Sequence, residues 1–462
     1  MRWSRDRLDL MTEVKNEYIQ RTQKSQKMYQ LAKNFLPGGD ARTVTFFEPY
    51  PAFIVKGKGY QLHDIDGNNY TDFLNNYTSL IHGHCHPKII KAIKEQLESI
   101  QAIHAPTEYQ VKFAEIISER FPSVDKIRIM NSGTEATMNA IRLARAYTGK
   151  DKILKAEGGY HGTHNNAQIS IHPHVEDSNP LNHPKSIPES KGIPKSVLKD
   201  VVVFPFNHQQ ITENLIKENK KDLAAVIVEP VMGAAGIISP KDDYLKFLRE
   251  ITNENDILLI FDEVITARLS RGGAQQYFNV IPDITAFGKL FGGGTPIGVI
   301  GGRDEIMMLY SPERKEFLSQ SGTFNANPVT LVGGIATLEL LNDSAYTRLN
   351  SLGNSLKDGI SDTFKEFGIN AQVTGEGSLL NIHFTEKEII DYRSALTSNV
   401  ELCSLLYLLM LNHGIWIAPR LLSCISTPMS KKEIESFIEA LRASLIRMKP
   451  FIKDLAPFLI KN

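Results

Sequence analysis

Residues 126–136, Lys-Ile-Arg-Ile-Met-Asn-Ser-Gly-Thr-Glu-Ala, pass from a β-compatible run through a turn of small, hydroxyl-bearing residues into a helix. The helix is marked by Ala136, Ala140, Ile141, Leu143 and Ala144. A turn of this kind presents backbone N–H groups and hydroxyls to an anion, usually phosphate. An ordinary N-cap reads the same way, so this motif alone leaves phosphate binding and plain capping both open.

Further short β-compatible runs follow at 152–155 (KILK), 224–228 (AAVIV), 257–261 (ILLIF) and 284–287 (ITAF). Several are apolar at consecutive positions, as strands buried on both faces are. Helical stretches lie between them. One has Tyr244, Leu245, Leu248 and Ile251 at helical spacing, with Ser239-Pro240 as its expected N-terminal signal. Strands alternating with helices over about 200 residues predict a largely parallel α/β sheet.

Outside this core the text changes. Residues 1–35 are polar and helix-compatible and read as a docking segment, and the turns Pro37-Gly38-Gly39 and Asp66-Gly67-Asn68 then divide short β-rich runs into a meander. Residues 171–195 carry five prolines and few apolar residues, which predicts a long loop. After Leu341 come a helix, a strand at 378–384 and an apolar helix ending at Gly414. The expected division is 1–75 (N-terminal segment and meander, part of a small domain), 76–340 (large domain) and 341–462 (C-terminal part of the small domain).

Composition narrows the function. Lys plus Arg and Asp plus Glu are 52 each, so no global charge argues for nucleic acid or a membrane surface. The three cysteines, Cys85, Cys403 and Cys424, form no CxxC and fit a reducing cytoplasm. The most apolar stretch, 402–411, has about half of the roughly 20 residues a bilayer span needs, and the N-terminus lacks the apolar run of a secretory signal.

Three strand ends carry candidate chemistry. Asp262 and Glu263 close the 257–261 run, where the ligand crevice of an open α/β sheet lies. A carboxylate there pairs with a cation, a metal or a protonated ring nitrogen, or simply starts the next loop. Lys289 ends the 284–287 run; Asp283 and Leu290 stand where a phosphate-binding P-loop needs glycine and Ser/Thr. A desolvated strand-end lysine is instead a candidate Schiff-base amine, because burial exposes the free amine. The cluster His82-Gly83-His84-Cys85-His86 suggests a metal, but its spacing fits neither paired CxxC nor HExxH, and no metal is expected.

Read in order, the motifs NSGTEA (131–136), GGYHG (158–162), VEPVMG (228–233), FDEV (261–264), FGK (287–289) and SGTFNANP (321–328) resemble the class III aminotransferases. These are fold-type I enzymes that use pyridoxal 5'-phosphate (PLP). The resemblance runs from about Leu36 to the end, and it implies a large domain with a mostly parallel sheet of seven-stranded type plus a smaller α/β domain. It implies that Lys289 holds PLP and shuttles a proton, and that Asp262 keeps the pyridine nitrogen protonated. Ser132, Gly133 and Thr134 would hold the phosphate. Tyr160 and His161 would belong to the cofactor pocket, with Tyr160 stacked on one ring face, Val264 on the other and Glu229 nearby. Thr323 resembles the residue that reaches the neighbouring subunit's phosphate, which implies a homodimer. Met232 stands where the family often has Gln, so that side chain has no hydrogen bond to offer the ring hydroxyl.

Within the family, NSGTEATMNAIRLARAYTGKDKI and GGAQQYFNVIPDITAFGK look very like glutamate-1-semialdehyde 2,1-aminomutase, an intramolecular enzyme. Two places depart from it: the Pro-rich 171–195 segment, and Ala418-Pro419-Arg420 in place of Ala-Pro-Ser. Arg420 and Arg42 match β-amino acid aminotransferases, where two arginines grip carboxylates; an Arg fork binds a carboxylate bidentately. Tyr77 and Phe46-Phe47 are expected in the pocket walls. The expected function is therefore transfer of an amino group from an amino acid, specifically a β-amino acid, to a keto acid such as 2-oxoglutarate or pyruvate. The aminomutase reaction is the alternative.

Overall fold

The computed structural model describes residues 5–178 and 180–461. Residues 1–4 of the expected docking segment and Asn179 of the Pro-rich segment lie outside the described residues.

A seven-stranded sheet organises the chain. Its order is Lys126–Met130, Gly298–Gly302, Ile284–Gly288, Leu258–Asp262, Leu223–Val228, Lys152–Ala156 and Val201–Phe204. Gly298–Gly302 is antiparallel to both its neighbours and every other pairing is parallel. Each residue of Leu223–Val228, Leu258–Asp262 and Ile284–Gly288 is buried, which explains their unbroken apolar runs. This is the α/β fold expected, with two strands that the sequence reading passes over. Val201–Phe204 follows directly on the Pro-rich segment. Gly298–Gly302 (GVIGG) reads as a turn, since three of its five residues are glycine.

The helix Gly133–Thr148 starts at its expected place. Ser132 caps it by accepting from the Glu135 N–H, and Gly149 ends it in the left-handed conformation. The helix Tyr244–Glu254 buries the expected face, Tyr244, Leu245, Leu248 and Ile251. Its start differs from expectation: Ser239-Pro240 does not cap it. Asn207 takes both the Ser239 carbonyl (3.0 Å) and the Lys241 N–H (2.9 Å), and Asp242 and Asp243 turn the chain with positive φ first.

Two smaller sheets flank this layer. The meander Ile54–Lys58, Gln61–Asp64, Asn69–Asp72 is completed by a parallel pairing with Ile415–Trp416, far along the chain. Gln372–Thr374, Leu379–His383 and Leu422–Cys424 form the other sheet. The apolar helix Val400–Asn412 is buried along most of its length beneath Arg5–Arg21 and Lys431–Leu455. Arg447 ties those two outer helices together through Glu13 (3.0 Å) and Glu17 (2.8 Å). Among the described residues no helix is long and apolar enough to cross a membrane.

Candidate active site

Five chemically equipped segments meet at one end of the large sheet, because Met130, Ala156, Val228, Asp262 and Gly288 all end strands there. Asp262, 4% exposed, accepts from His161 Nδ1 at 2.8 Å and from the Val264 N–H at 3.1 Å. His161 is buried, and its Nε2 has no partner among the described residues. Glu229 accepts from the N–H groups of Tyr160 (2.9 Å) and Gly233 (3.0 Å), and burial pushes its carboxyl up. The Tyr160 ring stays 41% exposed; burial, then Asp262 and Glu229, raise its hydroxyl.

Lys289 sits at the centre of this group. Burial lowers its amine, while Asp262 and Glu229 pull it back up. Its backbone is left-handed, with φ 49°, a conformation a non-glycine residue holds only when its surroundings impose it. A second lysine competes on burial alone. Lys155 is the penultimate residue of the strand Lys152–Ala156 in the same sheet, is fully buried, and burial brings it down to about 7. Its ammonium, however, is spent on the carbonyls of Ile169 (2.6 Å) and Ala156 (3.2 Å), whereas the Lys289 amine has no hydrogen-bond partner among the described residues.

The phosphate-type turn packs directly on these strand ends. A Cβ added to Gly288 would lie 3.5 Å from the Gly133 Cα and 3.4 Å from Val264 Cγ1. Gly298 shows how tight the approach is, for its Cβ would stand 1.9 Å from the Ser132 carbonyl oxygen. Only glycine fits there, and the sequence reading missed it because the contact crosses two strands. The Glu135 carboxylate accepts from the Asn131 N–H (2.6 Å), and Thr134 Oγ1 accepts from the Thr163 N–H (3.3 Å). The N–H groups of Gly133 and Thr134 find no acceptor among the described residues, so they are free for an anion at the helix N-terminus.

Arg42, Tyr77 and Arg420 come together from three remote segments. Arg42 donates to Asn76 Oδ1 at 3.2 Å and Tyr77 donates to the Val44 carbonyl at 3.1 Å. Burial raises the Tyr77 hydroxyl, and Arg420 and Arg42 both oppose that shift, so both positive charges lie near it. Arg420 lies in the turn before Leu422–Cys424: the Leu421 N–H closes on Ala418 O at 2.7 Å, with Leu421 at φ 67°. Neither arginine has an acidic partner among the described residues. Asn76, which the sequence reading does not single out, is the anchor of Arg42.

Tyr77 itself rides on an unusual backbone. Asn75, Asn76, Tyr77 and Thr78 have φ 50°, 51°, 50° and 73° in succession. Asn tolerates this region, but for L-residues it costs about 1–2 kcal/mol each, and bulky Tyr and β-branched Thr are genuine outliers.

The Pro-rich segment is strapped down from the C-terminal side. Tyr392 donates to the Pro173 carbonyl (3.2 Å), and Arg393 reaches the Ser178 carbonyl (3.3 Å) while holding both Glu157 oxygens at 2.7 and 3.0 Å. The histidine cluster is engaged elsewhere. His82 bonds Thr427 (3.0 Å) and the Thr337 carbonyl (3.1 Å), and His84 bonds Asp72 (2.7 Å). Met232 is fully buried in the apolar core and bridges Ile238 through the backbone. Thr323 is exposed in the turn ahead of the helix Pro328–Leu340, beside the exposed Phe324.

The family description "Aminotransferase class-III" matches residues 46–444, most of the chain. The chain belongs to the class III aminotransferases. Among curated proteins this class III aminotransferase is 42% identical to the glutamate-1-semialdehyde 2,1-aminomutase of Methanosphaera stadtmanae, over 92% of this chain and 99% of that one. Among solved structures it resembles an omega-transaminase from Sphaerobacter thermophilus (40% identity, TM-score 0.88, 92% and 98% of the two chains). It also resembles a transaminase with PLP bound (35%, TM-score 0.85, 92% and 98%). A β-phenylalanine aminotransferase from Variovorax paradoxus is 30% identical, with TM-score 0.89 over 96% and 98% of the chains. The curated relatives favour the aminomutase alternative over transfer from a β-amino acid.

The class III aminotransferase is a PLP enzyme, and its site fits the cofactor. Free N–H groups at the Gly133–Thr148 terminus suit the phosphate. A buried carboxylate, Asp262, suits a protonated ring nitrogen, and Lys289 is a deep amine with no hydrogen bond to give up.

Proposed function

We propose that this enzyme moves an amino group within a single substrate, as the name glutamate-1-semialdehyde 2,1-aminomutase states for its curated relatives. The observation that carries the reading is 42% identity across 99% of such a relative. Bound PLP supplies the electron sink for breaking a bond at the amino-bearing carbon. Lys289 would hold the cofactor through its amine and would carry the proton at its Nζ. Asp262, oriented by His161 and the Val264 N–H, keeps a proton on the ring nitrogen. Ser132, Gly133 and Thr134 bind the phosphate; Tyr160, His161, Val264 and Glu229 shape the ring pocket. Arg42, Arg420 and Tyr77 orient the substrate carboxylate. The division of the chain near residues 75 and 340 is proposed with it, supported by the pairing of Asn69–Asp72 with Ile415–Trp416.

A second reading is favoured by a specific observation: two arginines near Tyr77 that have no acidic partner among the described residues, together with 40% identity to an omega-transaminase. In this reading an amino acid donor, including β-amino acids, and a keto acid occupy the same pocket in turn. One assay separates the two. The aminomutase converts glutamate-1-semialdehyde to 5-aminolevulinate with no added acceptor. The transaminase instead transfers from a donor to 2-oxoglutarate or pyruvate. In either case Arg420→Ala is expected to raise KM about 10- to 100-fold, the value of a charge-assisted contact of about 1.5–3 kcal/mol. Cofactor absorbance should stay unchanged. An unaltered KM refutes the carboxylate role.

The active unit is proposed as a homodimer in which Thr323 reaches the neighbouring site. Its exposure beside Phe324, 62% exposed, supports this. Thr323→Ala is expected to weaken PLP retention on dialysis, and a fully active monomer in sedimentation would sink the proposal.

A further inference from the structure

Arg268 is the largest of the fully buried side chains, and no carboxylate pairs with it among the described residues. Its guanidinium ends on three segments: the Thr78 carbonyl (3.3 Å), Ser378 Oγ (3.0 Å) and the Ile425 carbonyl. A buried charge ending on carbonyls gains no neutralising partner for its desolvation. What it supplies is position.

The three acceptors are informative. Thr78 closes the left-handed turn at residues 75–78, whose outer face holds Arg42 through Asn76 and the Val44 carbonyl through Tyr77. Ile425 directly follows the strand Leu422–Cys424 that leaves the Arg420 turn. Turn and strand are also joined directly. Asn75 Nδ2 donates to the Cys424 carbonyl (3.2 Å), and the Cys424 N–H donates to the Phe73 carbonyl (2.5 Å). Asp72 pins the entry to the turn by accepting from the N–H groups of Leu74 and Asn75, both at 2.8 Å. Arg268 itself stands only six residues beyond Asp262, so the frame is tied to the cofactor side of the site.

We propose that Arg268 and the left-handed turn at residues 75–78 form a positioning device that sets the separation of Arg42 from Arg420, and so the length of dicarboxylate the site accepts. The proposal rests on the second reading above, in which Arg42 and Arg420 each grip one carboxylate of a dicarboxylic keto acid such as 2-oxoglutarate. A left-handed stretch of non-glycine residues suits the task because it has no neighbouring conformational well to relax into while its contacts hold. Arg268 is a positioning residue and touches no reacting atom.

The test uses the PLP-loaded enzyme and the unreactive ligands succinate, glutarate and adipate, titrated by calorimetry. The unmodified enzyme should prefer one length over the others by about tenfold. Arg268→Lys keeps the charge but loses the fork, and Thr78→Gly takes φ 73° without strain. Both should shrink that preference to about threefold or less, with cofactor absorbance retained. Thr78→Gly carries the test if Arg268→Lys fails to fold. Affinities that fall by one common factor in both variants, or no length preference in the unmodified enzyme, overturn the proposal. Arg42→Ala and Arg420→Ala tell the two failures apart. If neither weakens any ligand, the carboxylate reading falls as well. If both weaken every ligand while the positioning variants leave the ratio intact, only the positioning proposal falls.

Discussion

Lys289→Ala is expected to abolish turnover, by at least about a thousandfold, because one substitution would remove both the proposed covalent anchor of PLP and the proposed proton carrier. The protein as purified should be yellow, and borohydride reduction followed by peptide mapping should place the pyridoxyl group on Lys289. Lys155 makes this a sharp test. It too is a lysine near a strand end with a lowered amine, but it is held by two carbonyls. A label on Lys155, or on any other lysine, refutes the assignment. The variant should still bind PLP noncovalently, since the free N–H groups of Gly133 and Thr134 and the Asp262 carboxylate are untouched.

Asp262→Ala should slow the reaction roughly a hundredfold or more, the scale seen when a preorganised electrostatic partner is removed from a buried site. Two further consequences separate a catalytic acid from a structural one. The Lys289 amine, which Asp262 pulls upward, should shift further down. His161 Nδ1 would lose its partner at 2.8 Å while its Nε2 already has none among the described residues, leaving a buried ring unsatisfied. Asp262→Asn keeps the size and a hydrogen bond but not the charge. If it turns over at nearly the normal rate, the carboxylate is structural. Pre-steady-state absorbance of the bound cofactor, with stability followed in parallel, distinguishes the two cases.

Much of this was written locally. The sheet core was legible because strands buried on both faces must be apolar throughout, as 224–228 and 258–261 are. The Gly133–Thr148 helix was legible because Ser132 and Gly149 mark its ends. Family, fold and cofactor followed from motifs of which all but SGTFNANP sit at a strand end, where side chain and backbone dictate the chemistry together. The choice of reaction was not legible in the same way: transfer from a β-amino acid rested on Arg42 and Arg420, and the curated relatives favour the aminomutase instead.

What tertiary structure alone decided are the contacts between distant segments. The sequence by itself determined that Asp262 and Lys289 each close a strand; it did not determine that Lys155 is engaged and Lys289 free, because the Ile169 carbonyl reaches Lys155 only once the loop after its strand folds back. The Gly298–Gly302 strand was hidden because glycine declares a need for space only once the Ser132 carbonyl is in place. Arg268 reads as one more arginine until folding brings Thr78, Ser378 and Ile425 around it. The left-handed turn at residues 75–78 has no local signature, since Tyr and Thr disfavour that conformation. Interactions across some 190 residues of chain impose it, and periodicity and capping report only on near neighbours.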